Sequence, residues 1–185
     1  MAKASILQPF ILSWEGGYSN VKGDRGGATN KGVTIATYKA LCRVDNKHDG
    51  KIDEKDLKLL TDAQWLQIFQ KSFWDRWKAD DIKNQSIANL LVDWVWHSGN
   101  NGIICPQKVL GVVADGVVGA KTIAAINNYA DQSNLFKKLW LARQKYLIDK
   151  SEASSQRKFR NGWLNRLNGV RYGRLWNGNK LINRF

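Results

Sequence analysis

Two carboxyl groups near the N-terminus could divide acid and base chemistry between them. Apolar residues at spacings of three and four predict a helix over residues 4–15, which ends where two glycines follow. The C-terminal end of a helix and the neighbouring Trp14 both disfavour an ionised carboxylate, so we expect Glu15 to keep its proton to a higher pH than a free glutamate. Asp24 lies nine positions later, among glycines and beside Arg25, and we expect it to stay ionised.

Cleavage of a glycosidic bond requires such a pair. The departing sugar oxygen leaves poorly unless it is protonated, and an ionised carboxylate can stabilise positive charge at the anomeric carbon or polarise a water molecule. Thr29 and Asn30 follow in the same turn-rich stretch and add a hydroxyl and an amide that can orient a water or a sugar oxygen. Taken singly, a Glu before Gly-Gly is usually a solvated helix end, and an Asp in a Gly-rich loop usually caps a turn.

The complete stretch is more specific than its two acids. Residues 15–34 read EGGYSNVKGDRGGATNKGVT, which resembles the signature of glycoside hydrolase family 108, the N-acetylmuramidases of phage endolysins and bacterial cell-wall lysis cassettes. The resemblance implies a catalytic set of Glu15, Asp24 and Thr29. We expect substrate contacts from Tyr18, Asn30, Trp74, Asp93 and His97.

Three of these substrate-binding candidates have a structural alternative. Trp74 belongs to the stretch SFWDRW, whose aromatic rings can stack on sugars, although aromatic residues at helical spacing more often face the core. Asp93 and His97 are four positions apart on one face of a predicted helix and can pair with each other. In the family resemblance an Asn stands at the His97 position beside the sugar cleft, so we interpret His97 as a structural or supporting residue.

The elements that position these residues are mostly helical. Thr34 predicts the N-cap of a second helix, and Thr61 begins a capping box with Gln64. We expect a mainly α (α+β) protein, with a lysozyme-like helical fold in two lobes and a short β-hairpin at the active site. We divide the chain into a catalytic domain, residues 1–100, and a helical module with a basic tail, residues 101–185.

The second module has its own resemblance. Residues 106–127, PQKVLGVVADGVVGAKTIAAIN, resemble the small predicted peptidoglycan-binding domain that accompanies this family. Pro106 predicts the start of a helix and Gly111 its end. A helix-turn-helix that binds DNA is the structural rival, but the turn is long for that motif and Lys121 is the one base-reading candidate of the second helix.

Residues 45–56, DNKHDGKIDEKD, have the spacing of a calcium-binding loop with Gly50 at the turn. Lys47 stands where a ligand is expected, and Asp56 is shorter than the usual bidentate Glu. Calcium affinity should therefore be weak or absent, the alternative being a loop that keeps the turn geometry alone. We expect no metal and no cofactor.

Charge and composition bound the partners. Residues 137–185 hold 13 Lys or Arg against two acidic residues, which indicates an extended polyanionic partner for this part. No apolar run approaches the length of a membrane span, and the N-terminal residues lack a secretory apolar segment. We expect a monomer without a transmembrane segment, synthesised in the cytoplasm, that acts on the cell wall after release or export.

The leading hypothesis is a peptidoglycan hydrolase that cleaves the bond between N-acetylmuramic acid and N-acetylglucosamine, with bacterial peptidoglycan as partner and without nucleic acid. One alternative is a nucleic-acid-binding protein, suggested by a pI near 9.9, which leaves residues 15–34 unexplained. Another is a lytic transglycosylase, which keeps the acid but makes an anhydro product without water. Asp24 and Thr29, as groups that can handle water, favour hydrolysis.

Overall fold

The computed structural model of the protein describes residues 1–20 and 27–185. Its α-helices are α1 (Ala4–Trp14), α2 (Ile35–Leu41), α3 (Glu54–Lys58), α4 (Asp62–Phe69), α5 (Gln85–Ser98), α6 (Asn101–Leu110), α7 (Ala120–Asn127), α8 (Gln132–Ser151) and α9 (Arg160–Gly169). Short π- or 3₁₀-helical turns lie at Gln70–Trp74, Asp75–Trp77, Ala79–Asp81 and Arg157–Phe159. The strands are β1 (Thr29–Asn30), β2 (Val33–Thr34), β3 (Val170–Arg171), β4 (Arg174–Asn177) and β5 (Lys180–Arg184). The expected mainly helical class is confirmed, and the strands form two small antiparallel sheets in the described residues.

Helix α5 forms the centre of the core. Every residue from Ser86 to Val95 is buried, which is the pattern of a helix covered on all sides. The side chain of Asn84 caps its start by accepting hydrogen bonds from two backbone N–H groups. Helices α6 and α8 and strand β3 pack around it. None of the described helices combines the length and the apolar character needed to cross a membrane.

Helix α6 begins earlier than the sequence suggested. It starts at Asn101, so the expected start at Pro106 is wrong, and the proline lies inside the helix. Gly102, in the first turn of α6, lets this turn pack directly against the backbone of α5. A Cβ added at Gly102 would lie 2.5 Å from the backbone nitrogen of Val95. Only glycine permits this close approach to α5. Gly111 ends α6 in the left-handed region, as expected.

The hairpin β1–β2 turns through Lys31 and Gly32, which both have positive φ, 49° and 78°. Two such residues between paired strands are typical of a type I′ hairpin. Helix α2 begins directly after β2. Its N-cap is Thr34, whose hydroxyl accepts a hydrogen bond from the N–H of Thr37. This cap and the capping box of Thr61 at the start of α4 are confirmed.

The C-terminal strands form a three-stranded antiparallel sheet, in the order β3–β4–β5, that returns to the first helix of the chain. The Asn177 side chain donates to the carbonyl of Ser13 at 2.8 Å, and that of Asn183 donates to the carbonyl of Ile6 at 3.0 Å. Helix α9 packs against α8 and the same strands. Residues from both ends of the chain therefore meet around the end of α1.

Candidate active site

Glu15 is the residue at which α1 ends. Its backbone is extended, and its N–H donates to the carbonyl of Leu12. The side chain is only 19% exposed. Its Oε1 accepts hydrogen bonds from Trp96 Nε1 at 2.8 Å and from Arg166 Nη1 at 3.3 Å. The carboxyl group is thus held by two donors that are distant in the sequence, one on α5 and one on α9.

The β1–β2 hairpin faces the other oxygen of this carboxyl group. A Cβ added at Gly32 would lie 2.8 Å from Glu15 Oε2 and 2.7 Å from the Trp96 ring. Glycine is required here twice, for the positive φ of the turn and for the space beside Oε2. Both donors bind Oε1, and among the described residues no hydrogen bond reaches Oε2 beside this turn.

Behind Glu15 lies a buried group of charges. Arg166 donates to Asp93 Oδ1 from Nη2 at 2.7 Å and from Nε at 3.1 Å. Arg143 Nη2 lies 2.7 Å from Asp93 Oδ2. The side chains of Asp93, Arg143 and Arg166 are 0%, 1% and 8% exposed. We call these three residues and Glu15 the buried network.

The two arginines determine the charge of Asp93. Burial alone would raise the pKa of its carboxyl group, but Arg166 and then Arg143 outweigh burial and lower that pKa to about 2. Burial likewise acts to lower the pKa of Arg166, and Asp93 together with Glu15 reverses this, so the pKa of Arg166 is raised. At neutral pH the Asp93–Arg166 contact is therefore a charged pair.

An aromatic cluster supports the Trp96 ring. It contacts Trp65 at 5.7 Å, Phe69 at 5.7 Å and Phe73 at 4.6 Å between ring centroids. Trp65 is fully buried and donates from Nε1 to the carbonyl of Lys31 in the hairpin turn, at 2.8 Å. The cluster thus fixes both the donor to Glu15 and the turn that faces it.

The predicted residues of the hairpin have mainly backbone partners. Thr29 pairs with Ser19 through two backbone hydrogen bonds of 2.8 Å, and its hydroxyl donates to the carbonyl of Gly27 at 3.3 Å. Asn30 is buried and donates to the carbonyl of Leu57 at 2.8 Å. Its amide therefore ties the hairpin to α3.

Tyr18 lies between the end of α1 and helix α3. Its hydroxyl donates to Glu54 Oε2 at 3.4 Å, and Lys58 Nζ lies 4.4 Å from the centre of its ring. The ring is half-buried, with one face covered by this ammonium. Asp24, the predicted ionised partner of Glu15, lies within residues 21–26, outside the described residues.

The remaining candidates lie deeper. Trp74 is fully buried, and its Nε1 donates to Asp80 Oδ1 at 2.8 Å, which fits the core alternative. Asp93 binds two arginines instead of pairing with His97. The ring of His97 packs edge to face on Trp163, 5.6 Å away, and burial, followed by the charge of Arg143, lowers the pKa of His97 to about 4. The imidazole is therefore neutral at neutral pH.

Sequence reasoning did not identify Gly32, Trp96 or Arg166 as site residues. Gly32 lies inside the stretch that carries the family resemblance, and its position in a two-residue turn was the available signal. Trp96 is one of two tryptophans in its helix, and nothing in the sequence separates it from Trp94 as a site residue. Arg166 is separated from Glu15 by 151 positions, and nothing in its neighbouring residues indicates that it reaches the first helix.

The loop of residues 45–56 also contains a compact group of charges. Lys47 Nζ lies 3.0 Å from Asp49, 3.0 Å from Asp53 and 3.5 Å from Asp56. Asp45 Oδ2 accepts from the N–H of Gly50, at the turn, at 2.7 Å. The lysine ammonium therefore lies among the carboxylates that a calcium ion would need. Among the described residues no group of His, Cys, Asp and Glu side chains is arranged to hold a metal ion.

Comparisons with known proteins match both parts of the chain. The family model described as Glycosyl hydrolase 108 matches residues 8–99, and the Predicted Peptidoglycan domain matches residues 101–168. Among solved structures, SagA of Brucella abortus is similar, with 31% sequence identity, 90% of each chain covered and a TM-score of 0.69. A search of curated proteins gives no match. The first family match contains Glu15, Gly32, Asp93 and Trp96, whereas Arg143 and Arg166 fall in the second.

Proposed function

The chain belongs to the glycosyl hydrolase 108 family and carries a C-terminal predicted peptidoglycan domain, and we propose that it is an N-acetylmuramidase. The two matches together imply peptidoglycan hydrolysis. The proposed bond is the one between N-acetylmuramic acid and N-acetylglucosamine. The observation that carries the proposal is the geometry of Glu15, a carboxyl group at a helix end with two donors on one oxygen and the Gly32 turn beside the other.

In this proposal Glu15 is the proton donor. Because Trp96 and Arg166 both donate to Oε1, the proton of the acid form resides on Oε2, beside Gly32. That proton passes to the glycosidic oxygen as the bond from the anomeric carbon to this oxygen breaks, and the oxygen keeps the electron pair. A water molecule then bonds to the anomeric carbon through its oxygen and passes one proton to a carboxylate base, which is Asp24 if that residue activates the water. Proton exchange with solvent afterwards restores the acid form of Glu15.

We assign the water to Asp24 and Thr29, on the basis of the family resemblance. Asp24 would polarise the water or stabilise positive charge at the anomeric carbon, and Thr29 would help to place it. If the water attacks from the face opposite Glu15, the anomeric centre inverts, and the two carboxyl groups should be roughly 6.5 to 9.5 Å apart. A separation of about 5 Å, or a sugar covalently bound to Asp24, would instead indicate double displacement.

Anchoring on the wall is a second part of the proposal. Arg171 pairs with Arg174 across β3 and β4, and Arg174 pairs with Arg184 across β4 and β5. All three side chains are exposed. Like charges directly opposite each other in a sheet repel, and a bound anion relieves that repulsion. We propose that this arginine row holds the enzyme on its anionic substrate, and that the enzyme acts as an endolysin after release from the cytoplasm.

Lysis of purified cell walls by matched glutamate variants tests this function. Glu15→Gln keeps the size and the hydrogen-bonding capacity of the side chain but cannot donate the acid proton, so turbidity loss should slow by about 10²- to 10⁴-fold. Glu152→Gln is the matched control, because Glu152 is exposed and, among the described residues, its ion pair is with Arg160 at 3.5 Å. A Glu15→Gln protein that keeps a tenth of the wild-type rate would refute the assignment.

The nucleic-acid alternative is tested with the same protein samples. A duplex DNA gel shift at moderate salt should give only weak binding that disappears as salt rises, as expected for a basic surface without base contacts. Tight binding of one DNA sequence, together with intact cell walls, would favour the alternative.

A further inference from the structure

The active-site acid is held by a residue of the other module. Arg166 lies on α9, within the match to the predicted peptidoglycan domain, and its guanidinium reaches Glu15 on the first helix. Arg143, on α8 in the same match, secures Asp93 from the opposite side. Neither family match by itself contains the complete buried network.

The hydrogen bonds of Arg166 are divided unequally. Two of them, at 2.7 and 3.1 Å, go to Asp93, and the third, at 3.3 Å, goes to Glu15. Asp93 is an anion with no exposed surface, so it takes most of the charge interaction of the guanidinium. The contact with Glu15 is the longest of the three, and it reaches Oε1.

Arg143 keeps Asp93 in place for this task. Besides its contact with the carboxylate, it donates to the backbone carbonyls of Leu90 at 3.4 Å and Asp93 at 3.3 Å. These contacts attach α8 to the middle of α5. The Asp93 carboxylate therefore has little freedom to move, and neither does the guanidinium that it binds.

We propose that Arg166, fixed by Asp93 and Arg143, is a positioning residue that directs the Glu15 carboxyl group, so that the C-terminal module completes the active site. This inference rests on the proposed role of Glu15 as proton donor. Arg166 restrains Oε1 together with Trp96 and leaves Oε2 for the substrate. A module that only bound the wall would not need to contact the acid.

The test uses two substitutions of Arg166 and one control on the same helix. Arg166→Gln removes the cation and shortens the side chain, and Arg166→Lys keeps the charge but cannot bridge Asp93 and Glu15 with a planar fork. Arg160→Gln is the control, since Arg160 is half-buried at the start of α9 and pairs with Glu152, not with Asp93. The substrate is a set of soluble peptidoglycan fragments, and thermal unfolding of each variant reports whether it folds.

Both substitutions should lower kcat by about 10- to 100-fold with little change in KM, because the acid is misdirected while the sugar contacts persist. The pH dependence of kcat supplies a readout that loss of stability would not move. Among the described residues, the charged groups at Glu15 are Arg166, with Asp93 and Arg143 behind it. The neutral imidazole of His97 lies beside the same charges and is also affected by Lys150. Arg166→Lys keeps a cation beside Glu15, so its pH profile should match that of the wild type, whereas the profile of Arg166→Gln should change.

The outcomes separate this inference from the proposed function. A Glu15→Gln enzyme with wild-type activity would overturn the proposed function itself. An inactive Glu15→Gln enzyme, with folded Arg166 variants that keep the wild-type kcat and pH profile, would overturn only the positioning role. If Arg166→Gln fails to fold, the kcat of folded Arg166→Lys decides, and a value equal to that of Arg160→Gln contradicts the inference.

Discussion

The protein surrounds carboxylates with basic side chains in two places, and the two places are built in opposite ways. In the loop of residues 45–56, Lys47 contacts three carboxylates that all lie within ten positions of it. In the buried network, four side chains come from α1, α5, α8 and α9. The first arrangement organises one loop, whereas the second joins distant parts of the chain at the active-site acid.

Exposure makes the two arrangements differ in energy as well. Asp49 and Asp53 keep 49% and 44% of their side-chain surface exposed, so water screens their contacts with Lys47. Asp93 has no exposed surface, and removal of either partner would leave a charge in the core. In the loop cluster Asp56 is buried too, but it lies 3.5 Å from Lys47, and the two closer carboxylates are exposed, so the loop cluster should contribute less to stability than the buried network.

Removal of one carboxylate from each cluster should give the largest difference in the free energy of unfolding. Asp93→Ala leaves two buried arginines without their anion and should lower the free energy of unfolding by about 3 to 5 kcal/mol. Asp49→Ala removes an exposed partner of Lys47 and should cost less than about 1 kcal/mol. Urea denaturation of both variants measures the two values, and equal losses would contradict the comparison.

The pH dependence of stability should follow His97, beside the buried network. Its folded pKa of about 4 lies below the unfolded value of about 6.5, because burial and Arg143 disfavour the cation. The unfolded chain takes up the proton first as pH falls. The contribution of neutral His97 to the free energy of unfolding is therefore complete above pH 6.5. It is lost as the pH falls from 6.5 to 4, and the loss is at most about 3 kcal/mol.

His97→Asn should flatten the stability curve in this pH window, as measured by urea denaturation at several pH values. His48→Asn is the matched control, since His48 is exposed in the loop of residues 45–56. An unchanged slope in His97→Asn would show that another group produces the pH dependence.

The arginine row should respond to salt, unlike the buried network. The test reverses the charge of the arginine row, Arg171, Arg174 and Arg184, together with that of Lys180 on β5. Cell-wall binding at low salt should weaken by at least about tenfold, which corresponds to about 1.4 kcal/mol of binding free energy. Cleavage of soluble muropeptides should be unchanged. The wild type should lose the same binding as salt shortens the Debye length from about 10 Å at 0.1 M to about 3 Å at 1 M. Co-sedimentation with cell walls measures the binding of the variant and of the wild type. Binding that survives both the charge reversal and 1 M salt would argue against the anchor.

Calcium should produce the smallest effect and should act only on an altered loop. In the wild type the Lys47 ammonium lies among the carboxylates, so 1 mM calcium should leave the melting temperature unchanged. Lys47→Asp supplies a ligand at the third loop position and should gain about 1 kcal/mol of stability with calcium. Differential scanning calorimetry measures this, and a wild-type protein stabilised by calcium would contradict the role given to Lys47.

The contrast between the clusters also explains which features the sequence could predict. The caps at Thr34 and Thr61 depend on residues three positions away, and the loop of residues 45–56 depends on spacing within twelve residues, so each could be recognised locally. The contact of Arg166 with Glu15 depends on how α9 packs against α1, which no local pattern encodes. For the same reason the spacing of Asp93 and His97 could only show that they can pair, whereas two arginines from distant helices contact the carboxylate in the structure.

The C-terminal sheet shows the same limit. Its strands are short, and tight turns at Gly173 and Gly178 separate them, yet the basic composition of the segment conceals their pattern. The polar groups that attach the sheet to α1 are side-chain amides of Asn177 and Asn183, which are common in loops. That these amides meet the backbone of the first helix is a property of the complete fold.

Mass spectrometry of digested peptidoglycan tests the central claim most directly. If the protein is a muramidase with Glu15 as its acid, the wild type should release fragments that end in reducing N-acetylmuramic acid, and Glu15→Gln should release almost none. Fragments with anhydro-muramic ends would indicate a transglycosylase, and reducing N-acetylglucosamine ends would indicate cleavage of the other bond. Either product, or the same fragments from Glu15→Gln at the wild-type rate, would contradict the account.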